Sequence, residues 1–240
     1  MPRPRESSAN LSVHARVTPA SRGHTAALVA LYVGVFVLGM ALRESGAPVT
    51  APRVSGGRLV AVYLPMLVVQ WALVVYVSRV GRVRGTLRAM FGRGWSSASR
   101  ALADVVLAAG VWLLILTTER VWLRLFASGT APAVAALLPQ GVPERLTWVV
   151  VAVSVGFCEE VIFRGYFQSQ FEAFWRRPAL AIAAQAVLFG VAHGEHGAAA
   201  IVKATLYGLG FGALARWRRS LAPCVLCHAW TDLASGLLRG

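Results

Sequence analysis

Residues 59–77 read LVAVYLPMLVVQWALVVYV and contain no charged side chain. About 20 such residues cross the hydrocarbon core of a bilayer as a helix, the conformation that satisfies its own backbone hydrogen bonds there. The stretch that follows, residues 79–100, contains no acid and six arginines, namely Arg79, Arg82, Arg84, Arg88, Arg93 and Arg100. Because cytoplasmic loops carry an excess of basic residues, the two segments predict a transmembrane helix followed by a cytoplasmic loop.

Further apolar runs of similar length lie on both sides of this segment. They cover residues 25–42, 101–117, 146–168 with a continuation towards 174, 179–193, 198–215 and 221–238. The sequence therefore predicts an all-α, multi-pass transmembrane helical bundle of about seven spans, within a range of six to eight. Residues 131–138 are too short to span, and we interpret them as a re-entrant or interfacial turn or as the end of a longer, tilted third helix.

The composition supports a membrane protein. The chain of 240 residues is 57% hydrophobic and 14% charged, and its mean hydropathy is +0.60, which excludes an ordinary soluble domain or a disordered chain. The formal net charge is +14, and Lys203 is the only lysine among 24 basic residues. The arginines cluster between apolar runs, so we attribute them to cytoplasmic loops and expect no nucleic-acid partner. The three cysteines lie in apolar runs, which excludes a secreted disulfide framework.

The basic residues also predict the orientation of the chain. The polar N-terminus, residues 1–24, carries four arginines, and the first apolar run lacks a convincing cleavage site, so we expect an uncleaved first span. The Arg176–Arg177 turn and the basic loop at residues 216–219 fall on the same side. We therefore expect a multi-pass protein of the cell membrane with a cytoplasmic N-terminus. Residues 25–143 form its N-terminal helices and residues 144–240 a second transmembrane domain.

The residues that point to chemistry are ionisable side chains inside spans, where a charge costs a few kcal/mol or more. Glu160 and Arg164 are separated by four residues on one helix face, in the favourable acid-before-base order, so they can neutralise each other. Glu159 points about 100° away and has no basic residue three or four positions off, which leaves it as an unpaired carboxylate suited to act as a general base. Gly156, one turn earlier, would leave room for water or a substrate backbone. The alternative is a structural Glu–Glu–Arg network that joins two helices.

Two later spans add inward-facing polar groups. The first contributes His193, and the second contributes His228 and Asp232, which share a helix face so that the acid can orient the imidazole. Counted from the Arg176–Arg177 turn, Glu159 and His193 lie about 27 and 24 Å along their helices, and so at similar depth. His228 lies only about 13 Å of helix beyond Arg219. The last span must therefore start deeper, tilt, or begin irregularly near Pro223.

Two other signals have simpler interpretations. Cys224, Cys227 and His228 match the c-type haem attachment pattern, but their position inside an apolar span argues against haem. Lys203 also lies inside a span, where it could be a counter-ion to the acids or could extend to the interface; the sequence does not decide between them.

Taken together, Glu159-Glu160-x-x-x-Arg164, Phe189-x-x-x-His193 and His228-x-x-x-Asp232, in this order on successive spans, resemble the CPBP intramembrane protease family, also called the Abi or CAAX-protease-like family. The resemblance covers residues 144–240. It implies a membrane-embedded peptidase that cuts a membrane-associated protein or peptide. By similarity, Glu159 would activate the attacking water, His193 would help to position it, and His228 with Asp232 would stabilise the oxyanion. Glu160 and Arg164 would hold the first helix.

One departure from the family concerns Asp232, where many members have Asn. An ionised Asp cannot donate a hydrogen bond to an oxyanion, so Asp232 must be protonated, orient His228, or bind a metal. Glu159, His193, His228 and Asp232 would form an oxygen and nitrogen ligand set for a zinc-type ion, with Glu160 left as the base. We favour a metal-independent glutamate mechanism without a cofactor.

The expected function is thus intramembrane endopeptidase, with two alternatives from other classes. An ion-coupled transporter would use the same buried charges as a relay, but it would more often show paired halves with broken helices, and the sequence has no internal repeat. In a non-catalytic membrane scaffold the histidines would only pack. Prenylated C-termini, bacteriocins and sortase-like anchors are all compatible substrates of the expected peptidase.

Overall fold

The computed structural model describes residues 20–44, 57–126 and 137–239. The helices are α1 (Arg22–Glu44), α2 (Leu64–Val83), the short α3 (Leu87–Phe91), α4 (Ala98–Phe126), α5 (Val142–Glu160), α6 (Gln168–Trp175), α7 (Pro178–Val191), α8 (Ala198–Arg218) and α9 (Ala222–Arg239). Two π-helical segments, Leu59–Tyr63 and Val161–Phe167, lead into α2 and α6, and a 3₁₀ turn, Gly194–His196, precedes α8.

Five of these helical stretches are long and apolar enough to cross a membrane: Arg22–Ala41, Leu59–Val83, Ala98–Trp122, Val142–Trp175 and Ala198–Arg218. The predicted all-α, multi-pass bundle is therefore confirmed. Each of the seven predicted runs contains a helix, but α7 has 14 residues and is too short to span on its own. α9 has 18 residues and is not among the five. Residues 1–19 and most of the piece at 131–138 lie outside the described residues.

The stretch Val142–Trp175 is the central helix of the bundle. Half of the residues in its most apolar 18-residue stretch are buried, compared with 11–17% of the residues in the corresponding stretches of the three preceding spans. α9 packs along α5, and α8 packs along α7. The apolar side chains exposed on α1, α2 and α4 form the outer surface, as expected of helices that face lipid. Glu160 and Arg164 of the central helix are thus surrounded by protein.

The π-helical segment Val161–Phe167 follows Glu160 directly, and all seven of its residues are buried. Such segments insert an extra residue into a helical turn and occur frequently at functional sites. Here the segment changes the directions in which side chains after Glu160 point, relative to those of a regular α-helix. The sequence reasoning assumed a regular α-helix through this region and did not predict the change.

Candidate active site

Glu160 lies at the centre of a buried polar cluster. Its Oε1 accepts hydrogen bonds from Arg164 Nη1 at 2.9 Å and from His228 Nδ1 at 2.9 Å. The side chains of Glu160 and Arg164 are completely buried. The predicted ion pair is therefore present, and the same carboxylate also connects the central helix to α9.

Arg164 is held by aromatic rings as well as by its acid. Its guanidinium carbon lies 4.3 Å from the centre of the Phe189 ring and 5.3 Å from that of Phe211. Its Nε and Nη2 atoms are buried and have no hydrogen-bond partner within the described part of the chain. Contact with the ring faces offsets part of that desolvation, because the guanidinium is attracted to the π electrons.

Glu159 is less isolated than its sequence neighbourhood suggests. The Gln70 side chain of α2 donates from Nε2 to Glu159 Oε1 at 3.1 Å, a partner that lies 89 residues away in the chain. The other oxygen, Oε2, is buried and accepts no hydrogen bond from any described residue. It lies 3.8 Å from His228 Nε2, which is beyond direct hydrogen-bond distance. The interpretation of Glu159 as unpaired is thus wrong for Oε1.

His228 and Asp232 face the same site from α9. Asp232 Oδ2 lies 3.7 Å from His228 Nε2, so this nitrogen is directed at both Asp232 and Glu159 while Nδ1 is bound to Glu160. The backbone carbonyl of Asp232 accepts a hydrogen bond from Trp148 Nε1 at 2.8 Å. That hydrogen bond links this turn of α9 to α5 and fixes the position of the Asp232 backbone.

His193 lies two residues beyond the end of α7, not inside a helical span as the sequence predicts. Its Nδ1 lies 2.8 Å from the Phe189 carbonyl oxygen, an acceptor that requires the Nδ1–H tautomer in a neutral ring. The opposite nitrogen, Nε2, is then a hydrogen-bond acceptor. The centre of the Phe189 ring lies 4.6 Å from that of His193 and 6.1 Å from that of His228, so the structure brings His193 to the edge of the same cluster.

α9 approaches α5 closely, and its first turn lies inside the protein. A Cβ on Gly156 would lie 2.9 Å from the Ala229 backbone nitrogen. The backbone of α9 therefore fills the space that the sequence reasoning assigned to water or substrate at Gly156. Leu221, Pro223 and Cys224 are all buried, so the first turn of α9 is surrounded by protein.

The remaining polar residues singled out in the sequence lie elsewhere. Lys203 Nζ pairs with Glu119 Oε1 at 2.8 Å, and the Tyr207 hydroxyl donates to the same oxygen at 2.9 Å. Lys203 is thus the counter-ion of an acid on α4, a partner that the sequence left undecided. Cys224 and Cys227 are free, buried thiols, and His228 is bound to Glu160, an arrangement that does not favour haem attachment.

No group of three or more His, Cys, Asp or Glu side chains in the described residues is arranged to hold a metal ion. Glu159, His193, His228 and Asp232, the ligand set that the sequence suggests, do not form such a group in the described residues.

Gln70, Phe211 and Trp148 are the site residues that the sequence reasoning missed. Gln70 had a detectable signal, since it is the one amide in the apolar run 59–77. Phe211 and Trp148 had none, because aromatic residues in apolar helices are common and their partners lie on other helices.

One known family is similar to the part of the chain that contains this cluster. Residues 141–234 match a family model described as "Type II CAAX prenyl endopeptidase Rce1-like". No curated protein and no solved structure matches the chain. The matched segment runs from the start of α5 into α9 and contains Glu159, Glu160, Arg164, His193, His228 and Asp232. Over residues 141–234 the chain is thus similar to the Rce1-like type II CAAX prenyl endopeptidases, in agreement with the resemblance to the CAAX-protease-like family that its motifs carry.

Proposed function

We propose that this membrane protease is of the glutamic type, and that Glu159 deprotonates the water that attacks the scissile peptide bond. The observation that carries the proposal is the asymmetric environment of this carboxylate. Oε1 is held by Gln70, whereas Oε2 is buried, accepts no hydrogen bond from the described residues and faces His228 Nε2 at 3.8 Å. A water molecule can bridge polar atoms at such a separation, and a fixed carboxylate oxygen is the group that general-base catalysis requires.

His193 would help to position this water. With its Nδ1 proton donated to the Phe189 carbonyl, Nε2 can accept a second hydrogen bond from the nucleophile. Holding the water at two points lowers the entropic cost of its attack on the carbonyl.

His228 would stabilise the oxyanion of the tetrahedral intermediate. Glu160 anchors Nδ1 at 2.9 Å, which fixes the plane of the ring. In the protonated ring Nε2 can then donate to the developing negative charge at a largely shielded position, since the His228 side chain is 12% exposed. Asp232, 3.7 Å from Nε2, would act through His228 as a charge partner and not as a donor to the oxyanion. In this role Asp232 needs no proton to donate.

The proposed substrate is a peptide presented close to the membrane surface, with the C-terminal prenylated peptides named in the family description as the first class to examine. We also propose that the basic loops, and with them the N-terminus, are cytoplasmic. Bacteriocin-like and anchor-like C-termini remain alternatives within the same reaction class.

The experiment compares cleavage by purified, detergent-solubilised wild type and Glu159→Gln. The substrates are a prenylated CAAX peptide, its unprenylated form and a peptide with a C-terminal membrane anchor. We expect the variant to lose activity by about 10² to 10⁴, the usual contribution of a general base, while it elutes and unfolds like the wild type. Glu172→Gln is the matched control, because Glu172 pairs with Arg216 at 3.2 Å in a partly exposed position. Retained activity in Glu159→Gln would contradict the proposal.

A second measurement separates the glutamic mechanism from a metal-dependent one. Wild-type enzyme is dialysed against a strong chelator, assayed for zinc content and tested for cleavage. Undiminished activity supports the glutamate mechanism. Loss of activity that returns on addition of zinc would instead assign Glu159, His193, His228 and Asp232 as ligands.

A further inference from the structure

A separate cavity of about 200 Å³ opens where the loop after α3 meets the start of α4 and the end of α8. Its polar lining consists of Arg93, Trp95, Arg100, Asp104, Arg218 and Ser220. None of these residues belongs to the candidate active site. The cavity lies at helix ends within the arginine-rich face of the protein.

The charges that line this cavity are unbalanced. Among the described residues, Asp104 is the only acid in its lining, and it is already bound by Arg218, whose Nη2 and Nε lie 2.7 and 2.9 Å from Oδ1. Trp95 Nε1 donates to the other oxygen of Asp104 at 3.0 Å. Arg93 and Arg100 are exposed, and neither guanidinium has an ion-pair or hydrogen-bond partner among the residues that the structure describes. Two positive charges therefore face the cavity without a counter-ion.

The walls of the cavity are fixed by backbone contacts. Arg93 N donates to the Arg219 carbonyl oxygen at 2.7 Å, and Gly92 and Ser220 form an isolated antiparallel bridge. Gly92 has φ = 72°, and a Cβ there would lie 2.7 Å from the Arg219 oxygen, so a glycine permits this close approach. On the other wall, the Ser97 hydroxyl accepts the Arg100 amide at 3.3 Å. The backbone positions of Arg93 and Arg100 are thus fixed by these contacts.

We propose that this cavity binds a phosphate group, supplied by an anionic phospholipid headgroup. Guanidinium groups match phosphate oxygens in geometry and charge. Two exposed tryptophans favour a lipid over a free ion: Trp95 in the cavity lining is 53% exposed, and Trp217, next to Arg218, is 68% exposed. Exposed tryptophan is typical of the headgroup region of membrane proteins, where basic residues also attract anionic lipids.

The experiment measures lipid binding to the full-length protein in detergent by native mass spectrometry. The probes are phosphatidylglycerol, phosphatidylcholine and inorganic phosphate. We expect wild type to retain phosphatidylglycerol in preference to phosphatidylcholine. The double variant Arg93→Gln/Arg100→Gln should bind it on the order of tenfold more weakly, from the loss of two charges near the headgroup. Both arginines are exposed, so thermal unfolding of the variant should match wild type.

The matched control is Arg79→Gln/Arg82→Gln, which removes two exposed arginines outside the cavity. It should keep the affinity for phosphatidylglycerol. Binding of inorganic phosphate with the same sensitivity to Arg93 and Arg100 would support the phosphate site but assign a soluble ligand. Equal weakening of phosphatidylglycerol binding in both double variants would overturn the proposal. So would a wild type that binds no inorganic phosphate and binds phosphatidylglycerol no more tightly than phosphatidylcholine.

Discussion

Gln70 is the residue whose contribution to the site is least evident from its own sequence neighbourhood. It lies outside the family match, on α2, yet its amide fixes one oxygen of Glu159 at 3.1 Å. A hydrogen bond to a charged group contributes about 1.5–3 kcal/mol. Its effect on the reaction should come through the orientation of Glu159 and not through contact with substrate.

Replacing this amide tests its role. Gln70→Met keeps the length of the side chain and removes the hydrogen-bond donor. Because about 1.4 kcal/mol corresponds to a factor of ten in rate, kcat should fall about tenfold or more, while KM changes little. Steady-state kinetics with the best peptide substrate measures the two constants. A rise in KM at constant kcat would assign Gln70 to substrate binding instead.

Arg164 and Glu160 illustrate the different roles of a buried pair in stability and in catalysis. Removing one partner leaves a buried charge, so Arg164→Met should destabilise the protein by about 3–5 kcal/mol. The double variant Glu160→Gln/Arg164→Met should recover part of this loss, since neither side chain is then charged. Thermal unfolding in detergent measures both effects.

The double variant should nevertheless remain inactive. Glu160 also holds His228 Nδ1 at 2.9 Å, and a neutral amide would hold the ring less firmly and without charge. Recovery of activity together with stability would show that the pair serves only packing.

At the scale of helices, the site depends on the contact between α5 and α9. Gly156 lies against the Ala229 backbone, and Gly236 accommodates the Trp148 indole, so small residues let the two helices approach closely. This contact sets the distance from His228 on α9 to Glu159 and Glu160 on the central helix.

Gly156→Ala should therefore impair both folding and activity. The added methyl would lie 2.9 Å from a backbone nitrogen, which cannot move as a side chain can, and such overpacking costs about 1–3 kcal/mol. Gly110→Ala on α4 is the control, because within the described residues nothing lies within 4 Å of a Cβ at that position. It should be neutral or slightly stabilising. Equal unfolding temperatures and equal kcat for the two variants would show that the α5–α9 contact tolerates a wider spacing.

The sequence predicted the features of these helices that depend on near neighbours in the chain. The Glu160–Arg164 pair and the shared face of His228 and Asp232 follow from a spacing of four residues on a helix. The sequence did not predict the Gln70–Glu159 and Glu160–His228 contacts, because these contacts depend on the register between helices that are distant in the chain. The π-helical segment after Glu160 and the end of α7 before His193 are local, but no residue pattern marks either of them.

For the whole molecule, the unequal distribution of charge predicts how the bundle is oriented. Residues 79–100 carry six arginines and no acid, and Arg82 lies exposed at the end of α2. Gln140 is exposed just before α5. Along the chain, α4 is the one long apolar helix of the described residues that lies between Arg82 and Gln140. If α2, α4 and α5 each cross the bilayer, Arg82 and Gln140 lie on opposite sides of it.

Cysteine labelling tests this topology against a low background, since Cys158, Cys224 and Cys227 are all buried. A membrane-impermeant thiol reagent should modify Arg82→Cys only in inverted vesicles and Gln140→Cys only in intact cells, because basic loops are retained in the cytoplasm. The reverse pattern would place the arginine-rich face, with its phosphate-binding cavity, outside the cell. Labelling of both positions from one side would mean that α4 does not cross the membrane.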